Sequence, residues 1–164
     1  MKVVILAGGF GTRLSEYTDT IPKPMVPIGG KPIIEHIINI YSYYGHKEFY
    51  IALGYKGNVI KEYFQKIGKK DFKINLIDTG SDTFTGGRLK RLEKYLVKED
   101  FLLTYGDGLA DININNLIKF HNEHKKMVTI SAVRPPARFG SLSLDGSDVK
   151  KFQEKKQLGE SWIN

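Results

Sequence analysis

The sequence predicts an α/β fold: a Rossmann-like, mostly parallel sheet with helices on both faces and a small β-hairpin near the C-terminus. Short apolar segments alternate with amphipathic helical segments along most of the chain. Because a β-α-β-α order needs crossover connections, successive strands run parallel and the helices cover the two faces of the sheet. The hairpin is predicted by two short β segments around Asp145-Gly146, a dipeptide typical of tight turns.

Strands are predicted where short apolar runs end at glycine or polar residues. They cover residues 3–6, 48–53, 72–77, 100–105 and 127–133. Helices are predicted where apolar residues recur with helical spacing and stop at a glycine or a polar segment. They run from Pro32 to near Gly45 and over residues 56–67, 86–96 and 113–123. Ligands of such sheets bind at the carboxyl ends of the strands, so the loops that follow the strands are the candidate sites.

Length and composition indicate one globular domain spanning residues 1–164. The 164 residues are 41% hydrophobic and 26% charged, and no apolar run is long enough to span a membrane. We expect neither a signal peptide nor a membrane partner. The lack of cysteine excludes disulfides and thiolate chemistry and fits a cytoplasmic protein. The net charge of +7 suits an anionic ligand, but the dispersed lysines do not form the basic stripe of a nucleic-acid binder.

The loop after the first strand is the first candidate site. Gly8, Gly9 and Gly11 let a ligand approach bare backbone N–H groups, which bind anions where a helix begins. Thr12 adds a hydroxyl group, and Arg13 adds a guanidinium group suited to phosphate. The loop matches neither the Walker pattern nor the complete dinucleotide fingerprint. A tight turn without a ligand is the alternative, and we interpret the loop as a phosphate site.

A lysine between two prolines follows this loop. Pro22 and Pro24 favour an extended, stiff backbone around Lys23, with no helix to join. A lysine held in this way next to a phosphate loop is a positioned positive charge. The alternative is a solvated loop lysine, which is the usual state of lysine.

Two further loops carry candidate residues. Asp107 lies between Gly106 and Gly108 directly after an apolar strand, where a carboxylate could hold Mg²⁺ together with substrate phosphates. An Asp-Gly turn is the alternative reading. The loop before residue 86 opens a helix, so its N–H groups could bind a nucleobase or a phosphate. A capped helix start without a ligand is the alternative there.

The glycine loop and the proline-flanked lysine together resemble a known signature. Leu6-Ala7-Gly8-Gly9-x-Gly11-Thr12-Arg13-Leu14, followed by Pro22-Lys23-Pro24-Met25, is similar to the motif of sugar-1-phosphate nucleotidyltransferases. Residues 78–91 and the string Thr-Tyr-Gly-Asp-Gly at 104–108 resemble the glucose-1-phosphate cytidylyltransferase branch of that family. The resemblance implies the family's nucleotide-diphospho-sugar transferase fold over residues 1–164, with the C-terminal part of the sugar-binding half expected to be missing.

The resemblance also implies the roles of individual residues. Arg13, Lys23 and Asp107 would be catalytic, with Asp107 holding the cofactor Mg²⁺, and Lys155 would bind the sugar phosphate. Lys156 stands where the family has proline, and the family's second metal aspartate has no identified match. The nucleotide-binding residues would be Leu6, Ala7, Gly8, Gly9, Phe10, Gly11, Thr12, Arg13, Lys23, Thr83, Arg88 and Gly106.

By the same resemblance, the protein would transfer a cytidylyl group from CTP to a sugar 1-phosphate, best matched by glucose 1-phosphate. The products would be a CDP-sugar and pyrophosphate, used in polysaccharide biosynthesis, and the protein would be a homo-oligomer. Another sugar-1-phosphate nucleotidyltransferase, using GTP with a heptose or UTP or dTTP with a hexose, is one alternative. A nucleotide-binding module without transferase activity is another, and a basic nucleic-acid binder is a more remote one.

Overall fold

The computed structural model describes residues 1–10, 20–68, 71–97, 99–134, 141–153 and 162–163, of which 141 and 153 are described by their backbone alone. The chain forms two compact units, Met1–Ile114 and Asn115–Asn164. The organisation of residues 1–164 as one domain stays a prediction. None of the helices in the described ranges has the length and apolar character needed to cross a membrane.

The first unit is built on a four-stranded, entirely parallel sheet. The strands lie in the order β5-β4-β1-β6, with β1 in the middle between β4 and β6. This arrangement confirms the predicted parallel α/β fold. The strands are β1 (Lys2–Ala7), β4 (Glu48–Leu53), β5 (Lys73–Asp78) and β6 (Phe101–Tyr105), and a two-stranded ribbon is formed by β2 (Pro27–Ile28) and β3 (Lys31–Pro32).

Helices cover both faces of this sheet. On one face, Leu92 and Leu96 pack against side chains of β1 and β4 such as Val4 and Tyr50. On the other face, the N-terminus of a helix meets the Leu53 side chain. The helices of the unit are α1 (Ile33–Tyr43), α2 (Gly57–Lys66), α3 (Thr85–Arg91), α4 (Glu93–Leu96) and the start of α5 (Ile114–His124).

Burial of the central strands fixes the edge at which the loops emerge. Val3, Val4 and Ile5 of β1 are 0% exposed. Burying an aliphatic side chain of this size contributes about 1.5–3 kcal/mol. The apolar run of β1 therefore anchors the sheet, and residues 8–10 leave it at the carboxyl edge shared by all four parallel strands.

The second unit contains the predicted hairpin but not the predicted strand at 127–133. The hairpin consists of β7 (Ser141–Asp145) and β8 (Asp148–Gln153), and Gly146 in its turn has a φ of +58°. The strand prediction was wrong: within the described residues, only Val133 pairs there, through an isolated bridge to Ile163. Apolar composition produces a strand only where a neighbouring chain edge supplies hydrogen bonds, and Met127 is 96% exposed.

The segment around Lys23 also differs from the prediction of an extended backbone. Lys23–Met25 forms one turn of 3₁₀ helix, in which the Met25 N–H donates to the Pro22 carbonyl at 2.8 Å. Pro24 fits this turn because a proline in a first helical turn has no N–H that needs an acceptor. The turn places Lys23 beside the carboxyl edge of the sheet.

Candidate active site

A cavity of about 690 Å³ lies at the carboxyl edge of the sheet in the first unit. The loops after β1, β5 and β6 all contribute to it, as expected for a ligand site in a parallel sheet. Its walls are formed by Leu6, Ala7, Gly8, Gly9, Phe10, Lys23, Pro24, Ser81, Asp82, Thr83, Phe84, Thr85, Arg88, Tyr105 and Asp107.

Gly106 determines how two parts of this wall meet. Its N–H donates to the Leu6 carbonyl at 2.9 Å, which extends the contact between β1 and β6 by one residue. A Cβ atom at Gly106 would lie 2.8 Å from Cγ of Pro24 and 3.1 Å from the Leu6 oxygen. Only glycine fits without a shift, because Pro24 packs directly on its Cα. This close approach brings Lys23, which precedes Pro24, next to Asp107, which follows Gly106.

Lys23 and Asp107 form an ion pair on the cavity wall. The Lys23 Nζ lies 3.4 Å from Oδ2 of Asp107, and the two side chains are 23% and 38% exposed. A partly exposed pair at this distance contributes at most about 1 kcal/mol to stability. An anionic ligand and a cation can therefore separate the two groups at little cost, the ammonium group turning to the anion and the carboxylate to the cation.

The carboxylate of Asp107 fits a divalent metal that is shared with a phosphate ligand. Within the ranges that the structure describes, no group of three or more His, Cys, Asp or Glu residues could hold a metal ion. A site built entirely from such side chains is thus not formed by these residues. Mg²⁺ is commonly bound by one or two carboxylates plus substrate phosphates. Asp107, on the same cavity wall as the candidate phosphate loop at residues 8–10, meets that requirement.

Arg88 is a buried residue of the wall and is 5% exposed. Its Nη1 donates to the Leu53 carbonyl and to the Thr79 hydroxyl at 3.1 and 2.8 Å. The same group donates to the Gly80 carbonyl at 2.7 Å. Burial lowers the pKa of the Arg88 guanidinium, the nearby charge of Arg91 lowers it further, and the negative charge of Asp78 partly opposes this shift. The predicted nucleotide-binding role of Arg88 stays a prediction, and the contacts observed are all with the protein itself.

The structure brings most of the predicted site residues together. Leu6 to Phe10, Lys23, Thr83, Arg88 and Asp107 line the cavity, and Gly106 packs against the wall residue Pro24. Four predicted residues lie outside the described residues: Gly11, Thr12, Arg13 and Lys155.

Two exposed aromatic side chains of the wall were missed as site residues by the sequence analysis. Phe84 is 90% exposed, and Tyr105 is 51% exposed. Phe84 directly precedes α3 and has an extended backbone with no side-chain cap. The signal in the sequence was an aromatic residue at a helix start, within a loop otherwise made of small polar residues and glycine. Helix starts favour small polar residues, so a ring there indicates a role other than capping.

Comparisons with known proteins identify the family of the chain. The sequence profile of the family described as nucleotidyl transferase matches residues 2–162. A glucose-1-phosphate cytidylyltransferase of Salmonella typhi is 48% identical, with 100% of this chain and 72% of that protein covered. A probable glucose-1-phosphate cytidylyltransferase of Bacillus subtilis is 45% identical, with 94% and 69% covered.

A solved structure has the same fold. HddC from Yersinia pseudotuberculosis, complexed with GMP-PN, superimposes with a TM-score of 0.72 and 30% identity, covering 99% of this chain and 73% of that one. The profile match spans nearly the whole chain. The chain therefore belongs to the nucleotidyl transferase family and is a nucleotidyltransferase.

Proposed function

We propose that the protein transfers a cytidylyl group from CTP to glucose 1-phosphate, giving CDP-glucose and pyrophosphate. The observation that carries this proposal is the cavity that Gly8 and Gly9, directly after β1, line together with the ion pair of Lys23 and Asp107. The choice of CTP and glucose 1-phosphate is supported by the names of the relatives that are 48% and 45% identical.

Members of this family join a nucleoside triphosphate and a sugar 1-phosphate, and they generally use a divalent metal. For this protein we propose Mg²⁺, held by Asp107 together with the triphosphate. When bound, the metal would neutralise charge on the phosphates during transfer. A cytoplasmic location and a homo-oligomeric state stay predictions.

In the proposed reaction, a phosphate oxygen of glucose 1-phosphate attacks the α-phosphorus of CTP. The bond from that phosphorus to the oxygen that bridges it to the β-phosphorus breaks, and pyrophosphate leaves with that oxygen. The protein's contribution is positioning and charge neutralisation, since no covalent step on a side chain is required. Lys23 would neutralise the α-phosphoryl oxygens once it leaves Asp107. Arg13 would hold the β- and γ-phosphates and Lys155 the acceptor phosphate, both as proposed from the family signature.

Pyrophosphate release tests the proposal. The protein is incubated with Mg²⁺, glucose 1-phosphate and CTP, UTP, GTP or dTTP in separate reactions. We expect release with CTP to exceed release with each of the other three. Faster release with UTP or dTTP would contradict cytidylyl transfer and indicate another member of the family. Binding of CTP without release in the presence of acceptor would indicate a nucleotide-binding module.

Guanylyl transfer is the second candidate function. The observation that favours it is the fold similarity to HddC, whose structure was solved with GMP-PN. Release with GTP and a heptose 1-phosphate, together with no release from CTP and glucose 1-phosphate, would support this candidate over the first.

We expect Phe84 to contribute to nucleotide affinity. Its ring is 90% exposed and lines the cavity next to Thr83, which we propose as a nucleotide-binding residue. Stacking of a base on an aromatic ring contributes about 1–3 kcal/mol, so Phe84→Ala should raise the KM for CTP by about 5-fold to 150-fold. Phe84→Tyr is the matched control and should keep the wild-type KM. Equal KM values for Phe84→Ala and the wild type would show that the base does not contact this ring.

A further inference from the structure

The guanidinium group of Arg88 joins three strand ends at the floor of the cavity. Its Nη2 donates to the Gly8 carbonyl after β1 at 2.7 Å and to the Ser81 carbonyl at 3.0 Å. Its Nη1 reaches the Leu53 carbonyl at the end of β4 and the Gly80 carbonyl after β5. The Arg88 side chain therefore fixes the backbone at Gly8, in the candidate phosphate loop, relative to the ends of β4 and β5.

Two glycines make room for this group. A Cβ atom at Gly8 would lie 2.3 Å from Nη1 of Arg88, and a Cβ atom at Gly54 would lie 2.4 Å from the same nitrogen. Real Cβ atoms do not approach other atoms this closely, so both positions need glycine as long as Arg88 occupies its place. The absence of a side chain at Gly8 therefore makes room for the Arg88 guanidinium group, in addition to any role in ligand binding.

Among the described residues, the guanidinium group of Arg88 has no carboxylate within ion-pair distance, and the negative charge of Asp78 acts on it only from farther away. In the part of the chain that the structure describes, none of the ion pairs includes Arg88. Its acceptors are backbone carbonyls and one hydroxyl group, which carry only partial charges. A buried cation without a carboxylate in direct contact is costly, and an anion bound nearby would offset that cost.

The contact with Gly8 also orients the next N–H group. The Gly8 carbonyl accepts hydrogen bonds from Arg88 and from the Tyr55 N–H, the latter at 3.2 Å. In a trans peptide the C=O and N–H groups point in opposite directions, so the N–H of Gly9 points away from these two donors. A Cβ atom at Gly9 would meet nothing within 4 Å, which shows that this residue borders open space.

We propose that Arg88 is a positioning residue for the triphosphate: it holds the Gly8 carbonyl away from the ligand and supplies a buried positive charge that the phosphates compensate. This role rests on the proposed binding of a nucleoside triphosphate in the cavity. It differs from direct ligand contact, since all five acceptors of the guanidinium group belong to the protein. The effect of Arg88 on binding therefore grows with the number of phosphates.

Calorimetric titration with CTP, CDP, CMP and cytidine, at constant ionic strength, tests this role in Arg88→Met. We expect a loss of CTP affinity of about tenfold or more, a smaller loss for CMP, and a change within about twofold for cytidine. Arg88→Lys should fall between Arg88→Met and the wild type, because an ammonium group keeps the charge but cannot span the same acceptors. Lys90→Met is the control, since Lys90 is 74% exposed on the same helix and pairs with Glu93. It should bind all four compounds as the wild type does.

Gly54→Ala provides a second route to the same result if Arg88→Met fails to fold. The added Cβ would lie 2.4 Å from Nη1 of Arg88 and 2.7 Å from the Gly8 oxygen, so it would break the contact between these two groups while leaving the charge in the chain. We expect the same dependence on phosphate number.

A folded variant with unchanged CTP affinity, or an equal loss for CTP and cytidine, would overturn the role of Arg88. A wild-type preference for another nucleotide would contradict only the proposed function, and the series would be repeated with that nucleotide. A wild-type protein that binds no nucleoside triphosphate would overturn both proposals.

Discussion

Replacing Asp107 by alanine is expected to reduce turnover by about two to three orders of magnitude, since it removes the carboxylate proposed to hold the metal. The carboxylate lies on the cavity wall at the carboxyl end of β6, and its only described ion-pair partner is Lys23. Folding should be unaffected, because the pair is partly exposed and contributes little to stability. The measurement is the rate of pyrophosphate release at increasing Mg²⁺ concentration.

Asp111→Ala is the matched control for this substitution. Asp111 lies on the same loop after β6 and is exposed, but it does not line the candidate active-site cavity. It should keep wild-type turnover and the wild-type dependence on Mg²⁺. Near-normal turnover of Asp107→Ala at the Mg²⁺ concentration that saturates the wild type would contradict the metal assignment.

Lys23→Ala is expected to cost a similar two to three orders of magnitude in kcat/KM, about the effect of removing a group that stabilises transition-state charge. Lys23 lines the cavity, and its ammonium group lies 3.4 Å from the Asp107 carboxylate. The Lys23 side chain is partly exposed, so a ligand can reach it. Steady-state rates with CTP and glucose 1-phosphate, with circular dichroism to confirm folding, give the result.

The control for Lys23→Ala removes an equal charge elsewhere. Lys73 begins β5 at the amino edge of the sheet, and its side chain is 68% exposed. Lys73→Ala should leave kcat/KM within about twofold of the wild type, as is usual for changes at exposed surface charges. A loss for Lys73→Ala as large as that for Lys23→Ala would mean that net charge, and not position, sets the rate. Retained activity in Lys23→Ala would remove Lys23 from the mechanism.

Much of the parallel sheet could be predicted from the sequence, because each strand is a short apolar run and each connection carries a helical pattern. The buried run in β1 and the glycines behind it placed the first candidate loop correctly at the carboxyl edge of the sheet. The predicted strand at 127–133 failed because a strand depends on a pairing partner. Among the described residues, only Ile163 pairs with that segment.

The contacts within the site were less accessible to sequence reasoning. Lys23 and Asp107 were both predicted as site residues, but their contact depends on Pro24 packing on Gly106, across 82 positions of the chain. Arg88 was predicted beside the ligand. Its bond to the Gly8 carbonyl joins residues 80 positions apart, and no local pattern encodes such a contact. The glycines at 8 and 54 are the sequence features that this contact requires, but glycine also occurs in turns and loops for many other reasons, so they do not predict the contact.

The most direct test of the central claim is a crystal structure of the protein with CTP and Mg²⁺. We expect the triphosphate in the cavity formed by residues 6–10, Lys23 and Asp107, with an α-phosphate oxygen within hydrogen-bonding distance of the Lys23 Nζ. The metal should lie about 2.1 Å from an Asp107 carboxylate oxygen. A nucleotide bound elsewhere, for example in the separate cleft lined by Ile28, Tyr43 and Leu109, would contradict the account.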